Sequence, residues 1–167
     1  VAGLAKTMGA GLRLAHLIAP SPRLLTGVSA RLRAATVMAC PLTTSLASRW
    51  IEGGVADAIL THIQTESRIR QHLVRSALPS ETYLTDPNGF HVWIRPPAPW
   101  TRGRIVDWMR GQPLGAVAAD AFCVGIEPPE ALRLCLGGAV SREDAEKTLH
   151  YLADAFAHPP NLLQNAF

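Results

Sequence analysis

The pattern of apolar and polar residues predicts a helical first half of the chain. After a Gly- and Ala-rich loop over residues 1–10, a short apolar run over residues 12–18 predicts a strand that ends at Pro20. Helical spacing of apolar residues then predicts three helices, at about 22–38, from 41 to the Gly53-Gly54 pair, and at about 55–77. Their apolar faces are formed by Leu24, Leu25, Val28, Leu32, Ala35, Leu42, Leu46, Trp50, Ile51, Val55, Ile59, Ile63 and Leu73. Glu66 and Arg70 are four residues apart and are expected to pair on the outer face of the third helix.

The second half of the chain changes to short segments that are typical of strands. Strands are predicted at residues 83–84, 90–94, 116–124 and 131–136. The sequence Asp-Pro-Asn-Gly at residues 86–89 predicts a turn between the first two. Thr101 is predicted to cap a short helix whose inward side chains are Ile105, Trp108 and Met109. Ser141, followed three residues later by Asp144, predicts the start of a last helix with a buried stripe of Ala145, Leu149, Leu152 and Phe156.

These elements predict an α+β fold, in which long helices are followed by a small antiparallel sheet that is covered by helices. The chain is expected to divide into residues 1–20, a loop and strand; residues 21–78, a helical linker region; residues 79–158, an α+β domain; and residues 159–167, a flexible tail. The sequence contains no internal repeat and no low-complexity segment.

Composition argues against several functional classes. Hydrophobic residues make up 48% of the 167 residues and charged residues 17%, which favours a domain with a real core over a disordered chain. The formal charge is +3 and the arginines are scattered, so direct nucleic-acid binding by this chain is not expected. Three widely spaced cysteines argue against a zinc site or a disulfide framework, and no metal site is expected. The first residues lack the pattern of a secretion signal and no apolar stretch is long enough to span a bilayer, so we expect a cytoplasmic protein with no membrane partner.

Residues 4–14 place a lysine and an arginine in a stretch of small residues. A lysine that forms a Schiff base must reach an aldehyde and later move away, and small neighbours leave room for the ring of a cofactor. Arg13 lies seven residues after Lys6 and could hold a phosphate with two parallel hydrogen bonds. The alternative is a surface lysine and an unrelated arginine at the start of a strand, which would be the better interpretation of an isolated pair.

Arg133 lies within an alternating apolar segment. The period of two places Leu132, Leu134 and Leu136 on one face of the predicted strand, and Arg133 and Cys135 on the other. An arginine inside an apolar strand is costly unless it meets an anion. A structural salt bridge is the ordinary alternative to the binding of a ligand.

Several segments together resemble fold-type I aminotransferases, and most closely the MocR-type branch of the GntR transcription regulators. Residues 5–13 resemble the family motif Ser-Lys-Thr, three residues, then Gly-Leu-Arg. Residues 120–125, 132–138 and 141–144 resemble the C-terminal signature of the family. Residues 48–70 and 89–93 resemble the helical linker and the small-domain hairpin. The resemblance extends over nearly the whole chain.

The resemblance implies roles for three residues. Lys6 is similar to the lysine that binds pyridoxal phosphate covalently, and Arg13 to the arginine that binds the phosphate of the cofactor. Arg133 is similar to the arginine that binds the α-carboxylate of the substrate or effector. At Gly3 and Ala5 the family has serines whose hydroxyls help to hold the phosphate, so a weaker hold is expected here.

The other cofactor-binding groups of the family lie upstream of the lysine, as does the winged helix-turn-helix that reads DNA in a GntR regulator. We therefore expect this chain to be the C-terminal fragment of a longer protein, with residues 1–20 left from the large domain and residues 79–158 forming the small domain. The fragment alone is expected to be catalytically inert and to bind pyridoxal phosphate weakly or not at all. The resemblance implies a homodimeric parent that contacts DNA only through the upstream module.

Three functions stay open at this point. The first is the pyridoxal-phosphate-binding, amino-acid-sensing domain of a GntR/MocR-type regulator, with an amino acid or other small carboxylate as effector. It is favoured by the helical linker and by the strand end at residues 134–138. The alternative is the C-terminal part of a true class I/II aminotransferase, in which Lys6 also moves the α-proton. The third is a folding and interface unit that has no ligand of its own.

Overall fold

The computed structural model describes residues 1–159, which form five α-helices and six short strands. The helices are α1 (Pro22–Thr36), α2 (Pro41–Glu52), α3 (Val55–Ala77), α4 (Arg102–Trp108) and α5 (Arg142–Ala157). The strands are β1 (Ala2–Gly3), β2 (Ala15–His16), β3 (Tyr83–Thr85), β4 (His91–Ile94), β5 (Ala116–Ala118) and β6 (Leu132–Cys135). The predicted α+β class is confirmed. The predicted flexible tail, residues 159–167, lies outside the described residues except for Pro159.

The chain consists of two compact units. The first is formed by residues 1–63, and the second begins at Gln64. Helix α3 runs through this division, so its first turns belong to the first unit and the rest to the second. Each unit contains a hydrophobic cluster of its own. The four-part division expected from the sequence stays a prediction.

The helices of the first unit begin where the sequence predicts, but most of their predicted apolar residues are exposed, and Trp50 is only partly buried against the cluster of this unit. Ser21 caps α1, because its Oγ accepts a hydrogen bond of 3.3 Å from the N–H of Leu24. Helix α1 nevertheless buries none of its residues. In α2 the small residue Ala47 is buried, whereas Leu42 and Ile51 of the predicted apolar face are exposed. The small side chain of Ala47 allows the helix to pack closely against the loop that precedes α1, where the cluster is completed by Met8 and Leu12.

A four-stranded antiparallel sheet with the strand order β3-β4-β6-β5 lies at the centre of the second unit. The predicted turn between β3 and β4 forms, because the side chain of Asp86 accepts a hydrogen bond from the N–H of Asn88 (2.8 Å) and its carbonyl accepts one from Gly89 (3.0 Å). The strand predicted over residues 116–124 ends at Ala118. It is shorter than predicted because the next residues, Ala119–Phe122, turn into a 3₁₀ helix.

One face of this sheet is buried against helices α3, α4 and α5. The buried cluster includes Val74, Val92, Ile94, Ile105, Leu132, Leu134, Leu136, Leu149 and Leu152. The predicted alternation in β6 is confirmed, since Leu132 and Leu134 are fully buried and Arg133 and Cys135 lie on the opposite face. Trp108, which was predicted to face inward, is 39% exposed and stacks on Tyr151 with ring centroids 5.5 Å apart.

The cap predicted for α5 is present. The N–H of Asp144 donates to Ser141 Oγ at 3.0 Å, and the Ser141 hydroxyl donates to Asp144 Oδ2 at 2.7 Å. The two residues therefore close a reciprocal cap at the helix start. Three members of the predicted stripe are buried and Phe156 is partly buried against the same cluster.

Helix α3 contacts the second unit through polar side chains as well as apolar ones: Val74 is in the core, and Leu73 of the predicted apolar face is partly buried against it. Arg70 is 8% exposed, and its Nε donates to Glu66 Oε1 at 2.8 Å. Its two terminal nitrogens donate to the backbone oxygens of Leu136 and of Val140, the second at 2.6 Å. The Glu66–Arg70 pair therefore forms as predicted, but the expected outer-face position is wrong. The carbonyls of Leu136 and Val140 follow the end of β6, where no neighbouring strand supplies donors to them. Arg70 turns inward because it supplies these donors, and Glu66 accompanies it.

Gln71 contacts the neighbouring segment at the same end of the sheet, where β4 begins beside the end of β6. It is fully buried, and its Nε2 donates to the carbonyls of Gly89 (2.7 Å) and His91 (3.3 Å). The N–H of Leu136 donates to the carbonyl of Phe90 at 2.8 Å, which joins the turn to the end of β6. Two successive residues of α3, Arg70 and Gln71, thus fix both segments that border the strand of Arg133.

Candidate functional site

Lys6 and Arg13 lie in one closed loop of the first unit. The antiparallel pairing of β1 with β2 joins the two ends of this loop, and the N–H of Leu4 donates to the carbonyl of Leu14 at 3.0 Å. The strand predicted over residues 12–18 is reduced to β2, because residues 10–12 form a 3₁₀ turn. The structure therefore brings these two predicted residues into one loop, whereas Arg133 belongs to the second unit.

The loop fixes the main chain around Lys6 and leaves the side chain at the surface. Lys6 is the last residue of the 3₁₀ turn Leu4–Lys6 and is exposed. The turn is held by the N–H of Met8, which donates to the carbonyl of Leu4 at 2.9 Å, and by the burial of the Met8 side chain. An exposed primary amine on a fixed backbone can react with a carbonyl compound that approaches from solvent.

Arg13 has a left-handed backbone conformation, with φ 52° and ψ 40°. This conformation costs a non-glycine residue roughly 1–2 kcal/mol. Buried Leu12 and partly buried Leu14 flank it and hold it in place. Within residues 1–159, the guanidinium of Arg13 has no hydrogen bond or ion pair. Strained backbone at an unpaired cation is a feature that ligand sites often share.

Two glycines leave open space between Lys6 and Arg13. A Cβ added at Gly9 or at Gly11 would meet no atom within 4 Å. Gly9 also has φ 149°, a conformation that L side chains rarely adopt, so glycine is required there by the backbone. Room for a cofactor ring beside Lys6 stays a prediction.

Arg133 lies on the face of the sheet that does not meet the helices. It is partly buried, and its Nε is fully buried without a hydrogen-bond partner in the part of the chain that the structure describes. The ring of Phe122 covers the guanidinium, with Cζ 4.6 Å from the ring centroid. A cation–π contact of this kind offsets only part of the cost of desolvating a cation.

Three arginines among the described residues are not exposed: Arg70, Arg102 and Arg133. The environment of Arg133 differs from that of the other two. Arg70 pairs with Glu66, and Arg102 pairs with three carboxylates, those of Asp120 (2.9 Å), Glu127 (3.8 Å) and Glu130. Arg133 has no carboxylate partner in the described part of the chain. The salt bridge that was the ordinary alternative for Arg133 is therefore not formed within these residues.

The nearby acidic residue Asp120 is occupied by Arg102. The Nε of Arg102 donates to Asp120 Oδ2, and this hydrogen bond lowers the pKa of the Asp120 carboxyl below its ordinary value. The backbone N–H of Arg102 also donates to Glu130 Oε2 at 2.6 Å. Arg102 thus ties both ends of the segment that carries Phe122, and it neutralises the carboxylates closest in sequence to that ring.

Arg133 is the charged member of a row of side chains that crosses all four strands. The Cα partners run from Leu84 through Trp93 and Arg133 to Val117. Directly opposite residues of antiparallel strands project to the same face of the sheet. Leu84 and Val117 are exposed, and Trp93 meets the ring of Phe122 edge-on with centroids 6.0 Å apart. This face therefore presents one cation among apolar side chains.

Sequence reasoning did not identify Phe122 and Trp93 as neighbours of Arg133. Phe122 was included in a predicted strand, where its side chain would not have been expected to turn over another strand. Trp93 was visible only as part of a hairpin, because cross-strand register cannot be read from one sequence. One feature of the sequence does point to Phe122, because it lies in the segment that resembles the family signature.

Two further findings concern classes of function. Among residues 1–159, no group of three His, Cys, Asp or Glu side chains is placed to hold a metal ion. None of the described helices combines the length and the apolar character that a membrane span requires.

Comparisons with known sequences give no match: no protein-family model and no curated protein matches the chain. Solved structures do match. The chain is similar to LysN, an α-aminoadipate aminotransferase of Thermus thermophilus in complex with N-(5'-phosphopyridoxyl)-L-leucine, with a TM-score of 0.73 and 18% identity over 92% of this chain. It is also similar to a multiple substrate aminotransferase of Thermococcus profundus, with a TM-score of 0.72 and 17% identity over 93% of this chain.

A third similar structure is an archaeal alanine:glyoxylate aminotransferase, with a TM-score of 0.76 and 20% identity over 92% of this chain. The chain spans 40% of the length of the first of these structures and 39% of the other two. At these identities the similarity concerns the fold alone. The chain has an aminotransferase-like fold that resembles the C-terminal part of fold-type I aminotransferases.

Proposed function

We propose that the chain is the C-terminal part of a pyridoxal-phosphate-dependent aminotransferase, in which Arg133 binds the α-carboxylate of the amino substrate. The observation that carries the proposal is the buried Nε of Arg133, which has no partner among the described residues. Arg133 is otherwise only partly buried. A guanidinium with one desolvated nitrogen and no counter-ion is stabilised by a carboxylate, which can accept two parallel hydrogen bonds. The similarity in fold to three aminotransferases supports the same class of function.

Of the three functions that the sequence left open, we now prefer the aminotransferase to the regulator. The regulator hypothesis rests on the resemblance of residues 48–70 and 134–138 to MocR-type proteins, and the comparisons add nothing to it. The three solved structures described above are enzymes, and they support the aminotransferase alternative. We therefore propose the enzyme, as a cytoplasmic homodimer in its full-length form, with an amino acid as its partner.

The loop of Lys6 and Arg13 fits the cofactor of this enzyme class. Bound pyridoxal phosphate supplies an aldehyde that reacts with amines and a ring that stabilises negative charge at the adjacent carbon. Lys6 Nζ is the exposed amine that would hold the aldehyde end, and it could then hold the proton taken from the substrate. Arg13 is the unpaired cation that would hold the phosphate. Gly3 and Ala5 contribute no hydroxyl, so Arg13 is the main phosphate ligand that this loop offers.

We expect Arg133→Ala to weaken carboxylate binding by the 167-residue chain at least tenfold. A charge-assisted hydrogen bond contributes about 1.5–3 kcal/mol, which corresponds to roughly 10- to 100-fold in affinity. Propionate is the probe, and its dissociation constant is measured by NMR titration at fixed ionic strength. Arg133→Lys keeps the charge but loses the fork of donors, so it should retain only part of the affinity.

Arg95→Ala is the matched control, because Arg95 is an exposed arginine just after β4, which carries the cross-strand partner of Arg133. It should leave the dissociation constant unchanged. Equal losses in Arg95→Ala and Arg133→Ala would reduce the effect to net charge and would overturn the assignment of Arg133.

Cofactor binding by the chain alone is expected to be weak, because the loop contributes one lysine and one arginine and no hydroxyl at Gly3 or Ala5. Addition of pyridoxal phosphate should give a weak imine absorbance, close to that of the Lys6→Ala variant. A tight imine that disappears in Lys6→Ala would contradict this expectation, and it would show that the 167-residue chain already contains the groups needed to hold the cofactor.

A further inference from the structure

The side chains next to Arg133 indicate which substituent a bound carboxylate can have. Arg133 lies between Trp93 and Val117 in its cross-strand row, and Leu84 extends the row beyond Trp93. No other lysine or arginine belongs to this row. A carboxylate on Arg133 would therefore place its remaining atoms against apolar surface.

The ring of Phe122 determines the direction from which a ligand can approach. It covers the guanidinium, with Cζ 4.6 Å from the ring centroid, so an anion has to approach Arg133 from a side that the ring does not cover. Phe122 is itself held by Trp93, which meets it edge-on. The two rings form an aromatic wall next to the carboxylate position, and Phe122 remains 43% exposed on its other side.

The acidic groups nearest in sequence to Phe122 are engaged elsewhere. Asp120, Glu127 and Glu130 are paired with Arg102. His91 lies on the same face as Arg133 as the partner of Cys135, and its ring packs against Phe90 with centroids 4.6 Å apart. A second carboxylate on a ligand that lies along the cross-strand row would meet Trp93, Val117 or Phe122 and would lose its hydration without gaining a cation from that row.

We propose that Phe122 is a specificity-determining residue, and that the site selects carboxylates with an apolar substituent over dicarboxylates. The inference rests on the proposed function, because it takes Arg133 as the carboxylate ligand. Phe122 acts in two ways: its ring positions the guanidinium, and its exposed edge, together with Trp93, covers the apolar substituent. The ligand class is an amino or oxo acid with an aliphatic or aromatic side chain.

The test compares three probes on the 167-residue chain by NMR titration: acetate, 4-methylpentanoate and succinate. The wild type should bind 4-methylpentanoate about tenfold more tightly than acetate, as expected for burial of a few methylene and methyl groups. Succinate should bind no more tightly than acetate. Phe122→Ala should reduce the preference for 4-methylpentanoate to about twofold or less, and Phe122→Tyr, which keeps the ring, should restore it.

Val124→Ala is the matched control. Val124 lies two residues from Phe122 in the same segment, but it is 93% exposed and has no place in the wall. It should leave all three dissociation constants unchanged, which separates the effect of Phe122 from a general disturbance of the segment.

The outcomes distinguish this inference from the proposed function. Binding that depends on Arg133 but shows no apolar preference, or a preference that survives Phe122→Ala, overturns the role of Phe122 alone. Succinate as the tightest of the three probes overturns the ligand class. Binding of all probes that is unaffected by Arg133→Ala overturns the proposed function, and the inference with it.

Discussion

Arg70→Ala is expected to lower the free energy of unfolding of the second unit by about 3 kcal/mol. The substitution removes a buried guanidinium that donates to Glu66 and to the carbonyls of Leu136 and Val140. Two buried backbone acceptors then lose their donor, and the partly buried carboxylate loses one of its two cationic partners. Urea unfolding followed by far-UV circular dichroism measures the change.

Arg75→Ala is the matched control for this substitution. Arg75 is on the same helix, is exposed and has no partner among residues 1–159, so its loss should change stability by less than about 0.5 kcal/mol. The Arg70→Ala variant should also weaken carboxylate binding, because the segment that Arg70 holds follows directly after β6. A destabilisation as small as that of the control would mean that the Leu136–Val140 segment does not depend on Arg70.

Acid is expected to destabilise the second unit through Glu66 between about pH 4.5 and pH 2. The hydrogen bond from Arg142, and then that from Arg70, lowers the pKa of Glu66 from 4.5 to about 2. A carboxyl whose pKa is lower in the folded state stabilises the fold above its unfolded pKa, and that contribution is lost as the pH falls through the folded value. The side chain is 22% exposed and partly screened by solvent, so we expect a loss of about 1–2 kcal/mol rather than the full effect of the shift.

The measurement is the free energy of unfolding of the wild type and of Glu66→Gln at a series of pH values. The wild type should lose stability over this range, and Glu66→Gln should start lower and show a smaller slope. Glu146→Gln removes an exposed carboxylate that has no partner in the described part of the chain, so it should leave the slope unchanged. Parallel curves for the wild type and Glu66→Gln would show that Glu66 does not titrate with the depressed pKa.

The helices and most strands of this fold could be predicted because their signals are local. Ser21, Thr101 and Ser141 each cap the helix that follows, and Asp86 forms the turn between two strands. The buried faces were harder to predict, because they depend on partners distant in sequence. Arg70 is polar and was expected on the surface, but its donors meet carbonyls that lie more than sixty residues later.

In the candidate site, too, the residues could be found from their neighbours in sequence, whereas their contacts with distant residues could not. Lys6, Arg13 and Arg133 could be selected from their neighbours in sequence, and the alternation around Arg133 correctly places it opposite the core. The left-handed conformation of Arg13 could not be predicted, because Gly9 and Gly11 just before it offered the loop other places to turn. The aromatic wall of Trp93 and Phe122 depends on strand register and on a 3₁₀ turn, and neither has a clear signature in a single sequence.

The most direct measurement is the NMR resonance of the Arg133 Nε–H during a titration with propionate, assigned by its absence in Arg133→Lys. This buried donor has no partner among the described residues, so a carboxylate that binds there must change its environment. We expect a saturable downfield shift with propionate and none with chloride at the same ionic strength. A resonance that does not move while the chain binds propionate elsewhere would contradict the assignment of Arg133 as the carboxylate ligand.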